Sequence, residues 1–108
     1  MQELFETLGL GALKYFLLKV DPTKRILFNP ADSIDFQGNT GTFIQYTHAR
    51  GQSILRSSAI TPSVAEHVEL NGYEQNLIAH FFQFDDVLKE AAQQMSPALI
   101  AQHLYDTA

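Results

Sequence analysis

Tyr46 and Arg50 stand four residues apart in the run Asp35-Phe36-Gln37-Gly38-Asn39-Thr40-Gly41-Thr42-Phe43-Ile44-Gln45-Tyr46-Thr47-His48-Ala49-Arg50, where a turn-forming cluster passes directly into helical spacing. Positions i and i+4 lie on one face of a helix, so a flat ring and a guanidinium are offered to the same ligand. Stacking on aromatic rings and guanidinium planes is how proteins hold unpaired RNA bases. Read from spacing alone, a tyrosine and an arginine at the edge of a core are usually structural.

Other chemistry is poorly represented. His48, His67, His80 and His103 include no pair at the i, i+4 spacing of helical zinc ligands, and there is no cysteine to assist. They read as surface or boundary residues, with His48 at the margin of an apolar stripe in a packing or hydrogen-bonding role. Gly9-Leu10-Gly11 and Gly38-Asn39-Thr40-Gly41 lack the spacing of a phosphate-binding loop, and read as helix packing and a turn. Ser53, His48 and Asp35 can be assembled into a triad only on paper, since no nucleophile elbow frames the serine. Asp85 with Asp86, and Glu66 with Glu69, read as solvated helix ends or faces and not as a paired acid and base.

The chain has 108 residues, a size that fits one small domain with a modest core. No run approaches the eighteen or so apolar residues of a membrane span, and Met1-Gln2-Glu3 lacks the layout of a signal peptide. The expectation is a soluble, cytoplasmic protein. The net charge of −5 argues against generic attraction to nucleic acid, because non-specific affinity comes from neutralising phosphates. Any RNA is therefore held by a few placed side chains.

These side chains need helices to position them. Glu3 to Val20 reads as a helix ended by Asp21-Pro22. Its leucines and phenylalanines point nearly all round the axis, as in a helix buried on several sides. Lys24 to Phe28 reads as a short strand or extended link, punctuated by Asn29-Pro30, and Ser33 to Thr42 as irregular. The next helix runs from about Thr42 to Ser58, with Phe43, Ile44, Thr47, Gly51, Ile54 and Leu55 on its apolar side. Tyr46 and Arg50 flank that stripe, and Gln45 falls on the outer side of the wheel. A polar linker from Thr61 lasts to about Gly72. Leu77, Phe81, Phe84, Leu88, Ala91 and Met95 then recur with helical spacing, broken near Phe84, with Asp85 or Asp86 as a cap. Ser96 as cap and Pro97 at the first helical position open a last helix, which reaches Ala108 without a stop signal.

Gln45-Tyr46-Thr47-His48-Ala49-Arg50, continuing through Ser53-Ile54-Leu55-Arg56, resembles the first helix of the anticodon-binding domain of arginyl-tRNA synthetases, the helical type named after the tetrapeptide D-A-L-R. Gly11-Ala12-Leu13-Lys14-Tyr15-Phe16-Leu17-Leu18 resembles the segment leaving the catalytic domain of those enzymes. Ser96-Pro97-Ala98-Leu99-Ile100-Ala101-Gln102-His103-Leu104-Tyr105-Asp106 resembles a later helix of the anticodon domain.

The resemblance implies a mainly α fold: an incomplete helical bundle of the class I synthetase anticodon-binding type, with a short irregular or extended segment near 24–42. Residues 1–41 would be the C-terminal tail of the catalytic region and 42–108 a partial anticodon-binding domain. It further implies tRNA and the rest of the synthetase chain as partners, with Tyr46, Arg50 and Gln45 as tRNA-binding residues. Lys24, Arg25 and Arg56 are surface charges near phosphate at most, and Tyr105 is a packing or RNA-facing position.

The parent would be an ATP-dependent arginine–tRNA ligase using Mg, whereas this piece lacks sequences resembling H-I-G-H and K-M-S-K-S. No catalytic residue, metal site or cofactor is expected in it, nor activity on its own. The sequence departs from the family at Thr42 and Asp85, where proline is usual, and at Gly51, where an apolar residue is common. The aromatic-rich continuation after Leu104-Tyr105-Asp106 is missing. An excised middle piece is expected to leave apolar surface exposed around Leu13 to Leu18 and to self-associate through it. The alternatives are a similar domain from a cysteinyl or methionyl enzyme, or a free-standing helical protein-interaction module.

Overall fold

The computed structural model describes residues 1–108 and contains six helices: α1 (Gln2–Leu18), α2 (Pro30–Ser33), α3 (Gly41–Ser57), α4 (Gly72–Phe82), α5 (Phe84–Gln94) and α6 (Ala98–Thr107). The mainly α expectation holds. The possible strand at 24–28 does not form, and those residues run as an irregular link. A lone extended segment has no neighbour with which to share ladder hydrogen bonds. Phe28 instead turns its ring edge-on to Phe16 of α1, with centroids 5.3 Å apart.

Each helix end has a local cause. At the exit of α1 the Asp21 side chain accepts from the Thr23 backbone at 2.9 Å, a turn that competes with further helix. The Asn29-Pro30 pair does more than punctuate. Asn29 accepts from Ala31 N–H at 3.0 Å and Pro30 occupies the first position of the one-turn α2, so Ser33 closes a helix instead of opening an irregular stretch. Thr40 caps α3 by accepting from Phe43 N–H at 3.1 Å. Asn71 and Glu74 form a reciprocal capping box at α4, bonds of 2.9 Å in both directions that satisfy two otherwise orphaned donors.

Two caps expected from sequence are absent. Asp85 and Asp86 lie in the first turn of α5, and neither caps it. Gln83 keeps right-handed helical angles between α4 and α5, and Val87 N–H bonds back to its carbonyl at 3.0 Å. The first turn of α5 therefore continues from α4 instead of opening at a fresh cap. Ser96 is buried and makes no capping bond to α6, which begins at Ala98. Its backbone N–H is used to close α5, bonding Ala91 O at 2.9 Å around Met95 in the left-handed conformation.

α1 packs on α3, and α5 packs on α6. Tyr15 joins the two layers, its hydroxyl lying between the Asn39 side-chain oxygen and the Ala101 carbonyl, the latter at 3.0 Å. The buried apolar core consists of Ala12, Ala91 and Ala101, and no large side chain is fully enclosed. The radius of gyration is 16.6 Å, against about 13 Å for a compact chain of this length. α1 is covered on one side only: Ala12 is 1% exposed, while Leu10, Leu13, Leu17 and Leu18 stay open to solvent. No helix is long and apolar enough to cross a membrane.

Candidate nucleic-acid interface

The direction of α3 is set at its first residue. Asp35 accepts from Gln37 N–H at 2.9 Å, and the Thr40 hydroxyl donates to the Asp35 carbonyl, closing the turn that delivers Gly41. Gly41 is buried against α1, where an added Cβ would meet Gly11 O at 2.8 Å and Tyr15 Cβ at 3.1 Å. Its role is helix contact and not only a turn. Gly11 likewise serves packing, whereas Gly9 faces open space.

From this seat α3 carries Tyr46 and Arg50 outward together. The Arg50 guanidinium carbon lies 5.9 Å from the centre of the Tyr46 ring, a cation–π contact worth about 0.5–1 kcal/mol at an exposed site. Tyr46 is 50% exposed. Phe36, from the turn before α3, meets its ring edge-on with centroids 6.1 Å apart. Phe43, Thr47, Gly51, Ile54 and Ala108 complete an open groove of about 400 Å³ around the pair. Phe43 is braced by Tyr105 at 5.5 Å, which makes Tyr105 a packing residue. Arg50 is the one charged side chain lining the groove. The arrangement offers a flat apolar surface with a cationic side chain on its rim.

The remaining candidates fall elsewhere. Gln45 does not lie on the outer side of α3. It is half-buried against α1, where its Nε2 would stand 2.6 Å from a Cβ on Gly11, and its Oε1 is buried without a hydrogen-bond partner. A wheel drawn on α3 alone could not show that Gly11 opens a slot opposite it. His48 is exposed and neither packs nor bonds as expected. Ile54 and Leu55, assigned to the apolar side, are 66% and 61% exposed, because no element covers α3 beyond Thr47. Lys24, Arg25 and Arg56 are exposed and outside the groove.

Sequence reasoning missed Phe36 as a groove neighbour and the partnership of His80 with His103, whose rings stack 4.0 Å apart. His103 is buried, not a surface or boundary residue. Burial, then the neighbouring His80, lowers its pKa below the ordinary histidine value, with Asp106 acting the other way. Residues 23 apart leave no local signal for such a pair.

The chain and its fold have counterparts in known proteins. A family described as the DALR anticodon binding domain matches residues 44–108. The arginine–tRNA ligase of Flavobacterium psychrophilum is 52% identical over 103 residues, covering 95% of this chain and 17% of the relative. That of Bacteroides thetaiotaomicron is 50% identical over 103 residues, covering 91% and 17%. Among solved structures, the arginyl-tRNA synthetase of Plasmodium falciparum superposes with a TM-score of 0.90 at 32% identity, over 97% of this chain and 19% of that one. The Thermus thermophilus arginyl-tRNA synthetase gives 0.85 at 34% identity, over 94% and 17%. The chain thus spans under a fifth of the length of these proteins. With well over half of its residues matched by the family, this chain belongs to the DALR anticodon-binding domain family.

Proposed function

We propose that this chain is the anticodon-side segment of an arginine–tRNA ligase and that Tyr46 and Arg50 contact unpaired bases of the tRNA. The observation that carries the reading is the ring and guanidinium held together on the rim of an open groove, on the helix where the family match begins. Tyr46 stacks a base, and Arg50 meets a base edge or phosphate. Gln45, turned onto α1, is assigned no RNA contact.

In this reading residues 1–41 lead out of the catalytic region and 42–108 form the tRNA-binding part. The reaction, with ATP and Mg, belongs to the longer protein, which acts in the cytoplasm, and the segment has no activity alone. The rest of that protein packs on the open leucines of α1, and without it the same surface favours self-association.

The test is arginine attachment to tRNA by the longer protein carrying Tyr46→Ala or Arg50→Ala. A raised KM for tRNA with unchanged KM for arginine and ATP supports the assignment. Unchanged tRNA kinetics in both variants would make the pair structural.

A further inference from the structure

His80 on α4 and His103 on α6 stack with ring centroids 4.0 Å apart and planes 8° from parallel. His103 is 7% exposed, and His80 keeps partial contact with solvent. His80 Nε2 lies 3.1 Å from the His103 carbonyl. A carbonyl only accepts, so this nitrogen carries the proton. Phe84, at the start of α5, also packs on His103, with centroids 5.6 Å apart.

The charged groups facing the pair are few. A cleft of about 210 Å³ beside it is lined by Glu90 from α5 and Asp106 from α6, with no lysine or arginine. Asp106 is engaged by the Gln102 amide at 2.8 Å. No third ligand joins the histidines to form a metal site. An uncharged His103 ring stacks favourably at this distance, whereas a proton on it places a charge in a buried, poorly solvated position.

We propose that the His80–His103 stack is a proton-sensitive joint, holding α4 against α6 while the buried His103 ring is uncharged and releasing α4 when that ring takes up a proton. The joint is independent of the RNA-binding reading. Its direction follows from linkage. An unfolded histidine takes up a proton near pH 6.5, while burial and His80 hold the folded His103 below that value. The unfolded chain then binds more protons as the pH falls through this window, so stability is complete above it and is lost on acidification.

The test compares thermal unfolding of the full 108-residue chain with that of His103→Phe, which keeps a ring in the stack without a charge. The expected fall in midpoint between about pH 7.5 and about pH 5.5 is larger in the wild type by roughly 4–8 °C. Amide exchange in α4, corrected for intrinsic rates, should lose protection over the same interval in the wild type only. NMR titration of the wild-type ring protons covers the case in which the variant does not fold. A His103 midpoint below that of a free imidazole, accompanied by opening of α4, supports the joint. An ordinary midpoint, or acidification that leaves α4 protected, overturns it.

Discussion

Gly41 sits so close to Gly11 that a methyl group on it would stand 2.8 Å from the Gly11 carbonyl oxygen. That contact lets the first turn of α3 lie against α1, and from there the helix aims Tyr46 and Arg50 at the groove. Any other residue at position 41 would force the backbone of α1 and α3 to shift apart there.

Gly41→Ala is therefore expected to destabilise the chain by about 1–3 kcal/mol, the usual cost of overpacking. Gly9→Ala is the control. It lies inside α1 with nothing within 4 Å of the added Cβ, and should stabilise by about 0.5–1 kcal/mol through helix propensity alone. Urea unfolding of the two variants beside the wild type checks the opposite signs.

Tyr15 gives an alkaline prediction. Burial first, then Tyr105 and Asp106, push its pKa from 10.0 up to about 12. The folded state favours the neutral phenol, so this contribution is complete below pH 10.0 and is lost as the pH rises towards about 12. Tyr15→Phe should remove a late step from the tyrosinate absorbance titration. It should also cost about 1 kcal/mol at neutral pH, as the bridge between Asn39 and Ala101 is lost.

Met95 is the one non-glycine residue with positive φ, at 50°, and its side chain is 83% exposed. Left-handed geometry costs an L-residue roughly 1–2 kcal/mol, and little packing is lost by removing this side chain. Met95→Gly should raise the unfolding midpoint, a gain offset in part by the extra freedom of glycine in the unfolded chain. A lowered midpoint would show that the side chain contributes more than its exposure suggests.

The open leucines of α1 predict association. Light scattering of the chain should give a mass that rises with concentration, and Leu17→Gln, at a position 47% exposed, should shift it towards monomer without unfolding. A clean monomer at high concentration would count against the surface being adhesive.

Much of the local structure was legible from single residues. The first helix stops at Leu18, two residues short of the expected Val20 but just ahead of Asp21-Pro22, and α3 starts and stops within a residue of its expected limits, because turns and caps act over three or four positions. What failed depended on neighbours distant in sequence. Gln45 looked outward until Gly11 opened a slot for it, and Ile54 looked buried until no element arrived to cover it. Asp85 looked like a cap because the continuity of α4 into α5 through Gln83 cannot be seen in a propensity. The Tyr46–Arg50 pair was legible because i, i+4 spacing is local, while Phe36 and Phe43 joined it only through the fold.

The most direct measurement of the central claim is the affinity of this chain for the anticodon stem-loop of an arginine tRNA, with Tyr46→Ala and Arg50→Ala beside the wild type and circular dichroism confirming their folds. Each substitution is expected to weaken binding by about 1–3 kcal/mol, the worth of one stacked base. Folded variants that bind as tightly as the wild type would contradict the assignment of this groove to RNA.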